Sequence, residues 1–310
     1  MDGLPYLTET DTGQRLKAAI GCVGIGVHSG RRVALTLRPA PAGTGIVFHR
    51  TDLGQSVEAR HDHVTDTRLC TVLADPAHPA ARIATVEHLM AALAACRVAD
   101  CRIELDGPEI PLLDGSAAPW IFLLDCAGLE PAPAPTAIEV LRPIRVSDGQ
   151  AFAELRPHAG PLTLALSLAF DAPAIGRQAL TLELSERAFR REIAPARTFA
   201  LARDIADLHA AGLAQGGSLD NAVVVDGARV LNPGGLRMPD EFVRHKLLDA
   251  VGDLALAGSP LRARFIGHRS GHALNNRLLR ALFASAHNWR HAPVTAAGWS
   301  LPEHAAAAPA

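Results

Sequence analysis

A row of ionisable residues in the second half of the chain has the spacing of a metal site. His245, Asp249 and Asp253 stand four residues apart within residues 242–254. On an α-helix this spacing brings all three side chains to one face. An imidazole and a carboxylate one turn apart can reach a single ion about 2 Å away, and they would supply two of the three protein ligands of a catalytic zinc. The alternative interpretation is that the histidine and the aspartate are an exposed pair on a helix without a functional role.

A second acid and imidazole pair stands in the first half. Glu87 and His88 follow Thr85, a residue type suited to cap the start of a helix. Adjacent helical residues point about 100° apart, so one of the pair can bind an ion while the other addresses a bound water. A metal hydrolase needs this division of roles. The Glu-His dipeptide is common in proteins, so it is weak evidence for a metal site on its own.

Residues 267–276 have the composition of a loop at a functional site. They gather two histidines, an arginine, a serine and two asparagines among glycines. His272 in this loop can donate a proton to a leaving amine, and a turn histidine is the alternative. By contrast, Gly24, Gly26 and Gly30 follow the spacing G-x-G-x-x-x-G before a predicted strand, which excludes a dinucleotide-binding loop.

Lysine is rare in this chain, since only Lys17 and Lys246 are lysines among 30 basic residues. A lysine is therefore more informative here than usual. Lys246 follows His245 directly and points about 100° around the predicted helix from the ligand row. We expect it to meet the substrate or a polarised carbonyl rather than the ion.

Two helices and the strands that follow them must position these residues. Residues 86–95 have the length and alanine content of a helix and lead into a strand at 101–105, while 242–254 carry an apolar stripe at helical spacing and lead into a strand at 261–266. Each half thus has a histidine helix followed by a strand. Further strands are predicted at 32–37, 162–168 and 222–225, and a further helix at 204–211.

Alternating prolines mark the clearest boundary in the chain. They lie within residues 130–136, and they remove amide donors and hold the backbone extended. A chain of 310 residues is about twice the commonest domain size. We therefore expect a first α+β domain at 1–130, a linker at 131–136, a second α+β domain at 137–300 and a flexible tail at 301–310. One large domain is the alternative.

The bulk composition narrows the class of protein. A hydrophobic content of 48% and a charged content of 20% are typical of globular proteins. The net charge of −2 argues against a nucleic-acid or anionic-membrane binder. Five cysteines without a C-x-x-C pair indicate a reducing compartment. The start lacks the regions of a signal peptide and no apolar run approaches about 20 residues, so we expect a cytoplasmic protein without a transmembrane segment.

Seven segments in order resemble the UDP-3-O-acyl-N-acetylglucosamine deacetylases, and the resemblance runs from about residue 21 to residue 289. The segments read GIGVHSG at 24–30, ATVEH at 84–88, PEIPLLDGSAAP at 108–119, RTF at 197–199, GGSLDN at 216–221, FVRHKLLD at 242–249 and SGHALNN at 270–276. Each segment is weak evidence alone. All seven in the family's order are highly specific.

The resemblance implies a fold, a cofactor and a reaction. The fold is α+β, with two domains of similar topology, each a sheet layered with helices, and the active site at the domain interface. The cofactor is Zn²⁺, bound by His88, His245 and Asp249. The reaction is hydrolysis of the N-acetyl group of UDP-3-O-acyl-N-acetylglucosamine, the committed step of lipid A biosynthesis, and we expect the enzyme to be a monomer.

The resemblance also implies individual roles. Glu87 would accept the proton of water, His272 would protonate the leaving amine with Asp253 orienting it, and Thr198 and Lys246 would hold the oxyanion or substrate. Further residues would bind substrate: Phe199, Leu208, Leu213 and Val224 along the acyl chain, Phe170, Lys246 and Arg269 toward the uridine and phosphates, and His28 near the sugar or phosphates. A structural role for His28 is the alternative.

Two other functions fit part of the same evidence. A zinc amidase acting on another small amide would share the metal chemistry without the nucleotide and acyl sites. A sugar-nucleotide binding module without catalysis would need neither Glu87 nor His272. Both residues are present, which favours an enzyme.

Overall fold

Two mixed β-sheets and the helices packed on them form the framework of the chain, in a computed structural model that describes residues 12–133 and 136–292. The strands of the first half are β1 (Thr12–Leu16), β2 (Ile20–Ile25), β3 (Arg32–Pro39), β4 (Ile46–Arg50), β5 (Gln55–Glu58), β6 (Val64–Asp66), β7 (Val72–Asp75), β8 (His78–Ile83), β9 (Cys101–Leu105) and β10 (Leu129–Pro133). The strands of the second half are β11 (Ala137–Val140), β12 (Ile144–Asp148), β13 (Ala151–Pro157), β14 (Thr163–Ala169), β15 (Arg177–Glu183), β16 (Phe199–Leu201), β17 (Val223–Asp226), β18 (Arg229–Val230), β19 (Leu261–His268) and β20 (Trp289–Ala292).

Six α-helices lie between these strands in the described part of the chain. They are α1 (Glu87–Ala95), α2 (Ala118–Ala127), α3 (Glu186–Ala188), α4 (Ala202–Ala210), α5 (Glu241–Ala255) and α6 (His272–Phe283). The mixture of sheets and helices confirms the predicted α+β class. None of these helices is long and apolar enough to cross a membrane.

The two halves share one strand order. In the first half β9 is central, with β3 antiparallel on one side and β4 parallel on the other, and β2 and β5 complete the order β2-β3-β9-β4-β5. In the second half β19 takes the central place, with β13 antiparallel and β14 parallel, while β12 and β15 lie outside them. Strands β11 and β20 extend the second sheet beyond this shared core. The repeat predicted from two helix and strand pairs therefore extends to whole sheets.

The predicted elements are found within about two residues of their expected bounds. Strand β3 alternates as its sequence suggests, and Val33, Leu35 and Leu37 are all buried on one face. Strand β14 alternates in the same way. The glycine-rich segment after β2 leads into β3 and not into a helix, which confirms that it is not a dinucleotide-binding loop.

Helices α1 and α5 pack directly against each other. Gly252 permits their close approach, since a side chain at this position would overlap the backbone of Glu87. The predicted apolar stripe of α5 is buried, with Val243, Leu247 and Leu254 at most 1% exposed. The opposite face of α5, which carries the predicted row of ligands, is therefore left to face α1.

The proline-rich segment pairs with the start of the described chain. Leu129–Pro133 forms β10, which runs antiparallel to β1. Residues 1–11, 134–135 and 293–310, which include part of the predicted linker and the whole predicted tail, lie outside the described residues. The predicted domain boundaries stay predictions.

Candidate metal centre and active site

The contact between α1 and α5 brings the three predicted metal ligands together. His88 lies in the first turn of α1, and His245 and Asp249 lie one turn apart in α5. One ligand atom from each of the three residues lies within 4.8 Å of the others. The Nε2 atoms of His88 and His245 lie 3.5 and 3.3 Å from Oδ1 of Asp249. All three side chains are buried.

The hydrogen bonds around this cluster leave its ligand atoms free. Oδ1 of Asp249 is buried without a hydrogen-bond partner among the described residues, although buried polar atoms are nearly always paired. Oδ2 of Asp249 accepts a bond of 2.7 Å from Nζ of Lys246. Nδ1 of His245 donates a hydrogen bond of 3.1 Å to the carbonyl oxygen of Ala196, which leaves Nε2 with a lone pair. These donors fit a divalent metal ion.

The protonation states at the cluster also suit a cation. Burial lowers the pKa of His245 to about 4, so its imidazole is neutral at physiological pH, as a metal ligand must be. Burial opposes the ionisation of Asp249. Nearby positive charge, from His245 when protonated and from Lys246, outweighs burial and holds the pKa of Asp249 well below its usual range.

A buried acid and imidazole pair lies beside the cluster. Oε1 of Glu87 lies 3.8 Å from Nε2 of His272. Burial raises the pKa of Glu87 above that of an ordinary glutamate. Burial lowers the pKa of His272, but the charges of Asp253 and Glu87 outweigh this and raise it to about 9. His272 therefore carries a proton at neutral pH.

Asp253 lies in hydrogen-bonding contact with the ring of His272. Its Oδ2 lies 2.9 Å from Nδ1 of His272 and accepts a second bond of 2.8 Å from Nδ2 of Asn275. Its Oδ1 accepts a bond of 2.6 Å from the hydroxyl of Thr71. With Nδ1 bonded to Asp253, Nε2 of His272 points toward Glu87.

Thr71 is a site residue that sequence reasoning missed. Its backbone N–H donates a bond of 3.0 Å to Oε2 of Glu87, while its hydroxyl binds Asp253. The residue is 1% exposed. It thus joins Glu87 of the first half to the pair of Asp253 and His272 in the second. No motif or helical spacing marks this threonine in the sequence, because its partners lie 16 and 182 residues away.

The prediction that Thr85 caps α1 was wrong. Val86 occupies the cap position, and no side-chain bond caps the helix. Thr85 has a φ of 60°, and its hydroxyl donates a bond of 2.9 Å to Glu109. Glu109 also accepts hydrogen bonds from the backbone N–H groups of His28 and Ser29, at 2.9 and 2.8 Å. A buried carboxylate from a distant segment therefore competes successfully for the hydroxyl.

His28 lies in the glycine-rich loop that Glu109 holds. Its Nδ1 is buried without a hydrogen-bond partner in the described ranges. Burial lowers its pKa, the charge of Glu109 opposes this, and the positive charge of His272 adds to it. The electrostatic influence of His272 thus reaches the loop that carries His28.

Aromatic residues border the cluster where the resemblance implied substrate contacts. The ring centroid of Phe199 lies 6.3 Å from that of His245 and 5.6 Å from that of Phe170. Nζ of Lys246 lies 5.7 Å from the centre of the Phe199 ring. Thr198 precedes Phe199, and its hydroxyl makes no hydrogen bond within residues 12–133 and 136–292.

The remaining predicted substrate contacts fall into two groups. Leu208 lies on α4, Leu213 lies just after it, and Val224 lies on β17, opposite the residue that follows Phe199 on β16. Arg269 belongs with Phe170, since the parallel strands β14 and β19 end at the same edge of their sheet and these residues directly follow them. One group is thus apolar and the other follows this sheet edge, and the rings of Phe199 and Phe170 bring the two into contact.

Known proteins match this chain over most of its length. The model of the UDP-3-O-acyl N-acetylglycosamine deacetylase family matches residues 13–284. A UDP-3-O-acyl-N-acetylglucosamine deacetylase of Acidithiobacillus ferrooxidans is 48% identical over 279 residues, which cover 88% of this chain and 90% of the relative. The protein of the same name from Anaeromyxobacter dehalogenans is 50% identical over 266 residues, which cover 86% of this chain and 85% of the relative. The protein of this name from Shewanella loihica is 48% identical over 279 residues, which cover 88% of this chain and 90% of the relative.

Proposed function

The chain belongs to the UDP-3-O-acyl-N-acetylglucosamine deacetylase family, and we propose that it hydrolyses the N-acetyl group of UDP-3-O-acyl-N-acetylglucosamine with a bound zinc ion. The products are acetate and the free amine, and the reaction commits the sugar to lipid A. One observation carries the proposal. A buried cluster of two imidazoles and a carboxylate, one oxygen of which has no hydrogen-bond partner among the described residues, lies beside a buried acid and imidazole pair.

His88, His245 and Asp249 would hold the zinc ion. Two imidazoles and a carboxylate are a known ligand set of catalytic zinc, in which a fourth position stays open. When bound, the ion supplies Lewis acidity that polarises the amide carbonyl and lowers the pKa of water. The carbonyl of Ala196 orients His245 for this purpose, at 3.1 Å from its Nδ1.

Glu87 would act as the general base. Its carboxylate accepts the proton of the attacking water while the water oxygen bonds to the acetyl carbon. Burial makes Glu87 more basic than an ordinary glutamate, which strengthens it as a proton acceptor. The backbone N–H of Thr71 holds one carboxylate oxygen, so the other is left to meet water.

His272 would act as the general acid. Its pKa of about 9 keeps it protonated at neutral pH, and Asp253 fixes the ring so that Nε2 carries the reactive proton. This proton passes to the amide nitrogen as the carbon–nitrogen bond breaks, which releases the amine. The Thr198 hydroxyl and the Lys246 ammonium would stabilise the oxyanion, a contribution of about 3 kcal/mol for one such donor in other hydrolases.

The substrate contacts extend the proposal to both ends of the substrate. Phe199, Leu208, Leu213 and Val224 would follow the acyl chain, and Phe170 and Arg269 would lie toward the nucleotide. The location of the first group on β16, on and just after α4, and on β17 supports this division. His28 would contact the sugar or its phosphates.

Mass measurement of the product tests the proposed function. The zinc-loaded full chain is incubated with UDP-3-O-acyl-N-acetylglucosamine, with metal-stripped protein and with UDP-N-acetylglucosamine lacking the acyl chain as controls. We expect metal-dependent loss of one acetyl group from the acylated substrate alone. Equal turnover of the substrate without the acyl chain would instead indicate an amidase of broader specificity, and binding without acetate release would indicate a binding module.

A further inference from the structure

A large cavity lies on the faces of α1 and α5 that point away from the metal cluster. Its volume is about 860 Å³, within the range of about 300–1,000 Å³ typical of ligand pockets. Met90 and Val251 line it. Each stands two residues after a proposed metal ligand and hence about 200° around its helix from that ligand. None of the residues assigned above to the metal, to catalysis or to the substrate lines this cavity.

The inner wall of the cavity is apolar. Met90, Leu93, Val251 and Leu254 line it from the two helices, and each is at most 2% exposed. Leu261 and Ile46 add apolar surface from strands on both sides, and Leu162 adds more from just before β14. Water gains few hydrogen bonds against such a wall, so an alkyl chain of suitable length is the better occupant.

The residues around this apolar wall are strongly basic. Six arginines and two glutamates line the cavity, and the glutamates are already paired: Glu58 with Arg60 at 3.4 Å and Glu186 with Arg190 at 2.8 Å. The arginines are Arg60, Arg97, Arg187, Arg190, Arg191 and Arg262. The local charge is therefore positive, although the whole chain has a net charge of −2.

Four of these arginines have no carboxylate partner in the part of the chain that the structure describes. Arg97, Arg187 and Arg191 make no side-chain ion pair there, and Arg262 donates only to the carbonyl of Ala159, at 3.0 Å. Arg187 and Arg191 are exposed, whereas the leucines of the wall are buried. Guanidinium groups that are accessible to solvent and lack a carboxylate partner can bind an anion in a bidentate manner.

We propose that this cavity binds a single-chain anionic amphiphile, with the alkyl chain along the apolar wall and a carboxylate or phosphate head at the arginines. The apolar inner wall and the arginines that have no carboxylate partner among the described residues match the two parts of such a molecule. A nucleotide or sugar would leave its polar groups unpaired against the leucines. The proposal is independent of the deacetylase reaction.

Titration calorimetry on the full chain tests the proposal. The probes are dodecanoate, dodecyl phosphate and uncharged dodecanol, each below its aggregation limit. We expect both anions to bind, and dodecanol to bind at least about tenfold more weakly, since it lacks the charge. Tighter binding of one anion would identify the preferred head group. Absence of binding by both anions would overturn the proposal.

Matched variants locate the binding site. Arg262→Glu and Arg97→Glu should each weaken dodecanoate binding about tenfold, while Arg264→Glu, two residues along β19 and outside the cavity, should leave it unchanged. Ala94→Phe should fill part of the cavity and weaken binding of all probes. Unchanged affinity in Arg97→Glu, Arg262→Glu and Ala94→Phe would place the amphiphile elsewhere, in the acyl passage for instance, and refute the site.

Discussion

Helices α1 and α5 occupy corresponding places in two sheets of the same strand order, yet they contribute different chemistry. Helix α5 aligns His245, Asp249 and Asp253 at four-residue spacing, while α1 supplies the adjacent residues Glu87 and His88. Adjacent residues diverge by about 100°, so α1 can place one group in the metal cluster and the other beside His272. The repeat therefore provides the geometry, and the spacing within each helix divides the roles.

The aligned row of α5 is also divided. His245 and Asp249 face His88, whereas Asp253, one turn further, binds His272 and Thr71. One helical face thus contributes both to the proposed metal cluster and to the proposed proton relay. Substitutions on the two helices can separate these functions.

The largest catalytic effect is expected from the base on α1. Glu87→Gln should keep the metal and the fold but lose at least about a hundredfold in kcat, because an amide cannot accept the proton of water. Steady-state kinetics with zinc content measured on the same sample check this. Glu104→Gln, a change of the same type at a partly exposed position of the central strand β9, is the control. Retained activity in Glu87→Gln would move the base elsewhere.

His272→Ala should reduce kcat by about tenfold to a hundredfold with zinc intact. The acid must be protonated, and its pKa of about 9 means that wild-type kcat/KM should fall as pH rises through about 9. Asp253, Glu87 and Asp249 raise this pKa, while burial lowers it. The variant should lose this basic limb.

The pH profile of the two proteins is the measurement. A basic limb that persists unchanged in His272→Ala would assign it to another group.

Loss of the contact that Thr71 makes between the two halves should have a smaller effect on kcat. Thr71→Val removes the hydroxyl bond to Asp253 while the backbone bond to Glu87 is kept, so kcat should fall about tenfold with KM little changed. Thr71→Ser should restore most of the activity, since it restores the hydroxyl. Equal losses in both variants would point to packing and not to the hydrogen bond.

Lys246→Arg should have the smallest effect, a loss of roughly fivefold in kcat/KM, although the charge is kept. The ammonium donates to Oδ2 of Asp249 at 2.7 Å, and a planar guanidinium has a different reach and donor geometry. Kinetics of the arginine and alanine variants, with zinc measured alongside, provide the check. Near-normal efficiency in Lys246→Arg would show that any cation serves here.

Local periodicity made part of this site predictable. The row on α5 follows from four-residue spacing alone, and alternation predicted β3 and β14. The roles of Thr198 and Asp253 came only from the resemblance to a family. Contacts that join distant segments had no local signal, as with Thr71 and the carbonyl of Ala196. The predicted cap at Thr85 was wrong for the same reason, because Glu109 lies 24 residues away.

Zinc content per chain tests the central claim, that the two halves jointly hold one metal ion. Elemental analysis should compare the wild type with His88→Ala on α1 and His245→Ala on α5, with the exposed His78→Ala as the control. We predict about one tightly bound zinc in the wild type and in His78→Ala, and loss of tight binding in both ligand variants. Unchanged tight zinc in either His88→Ala or His245→Ala would contradict a site shared between the halves.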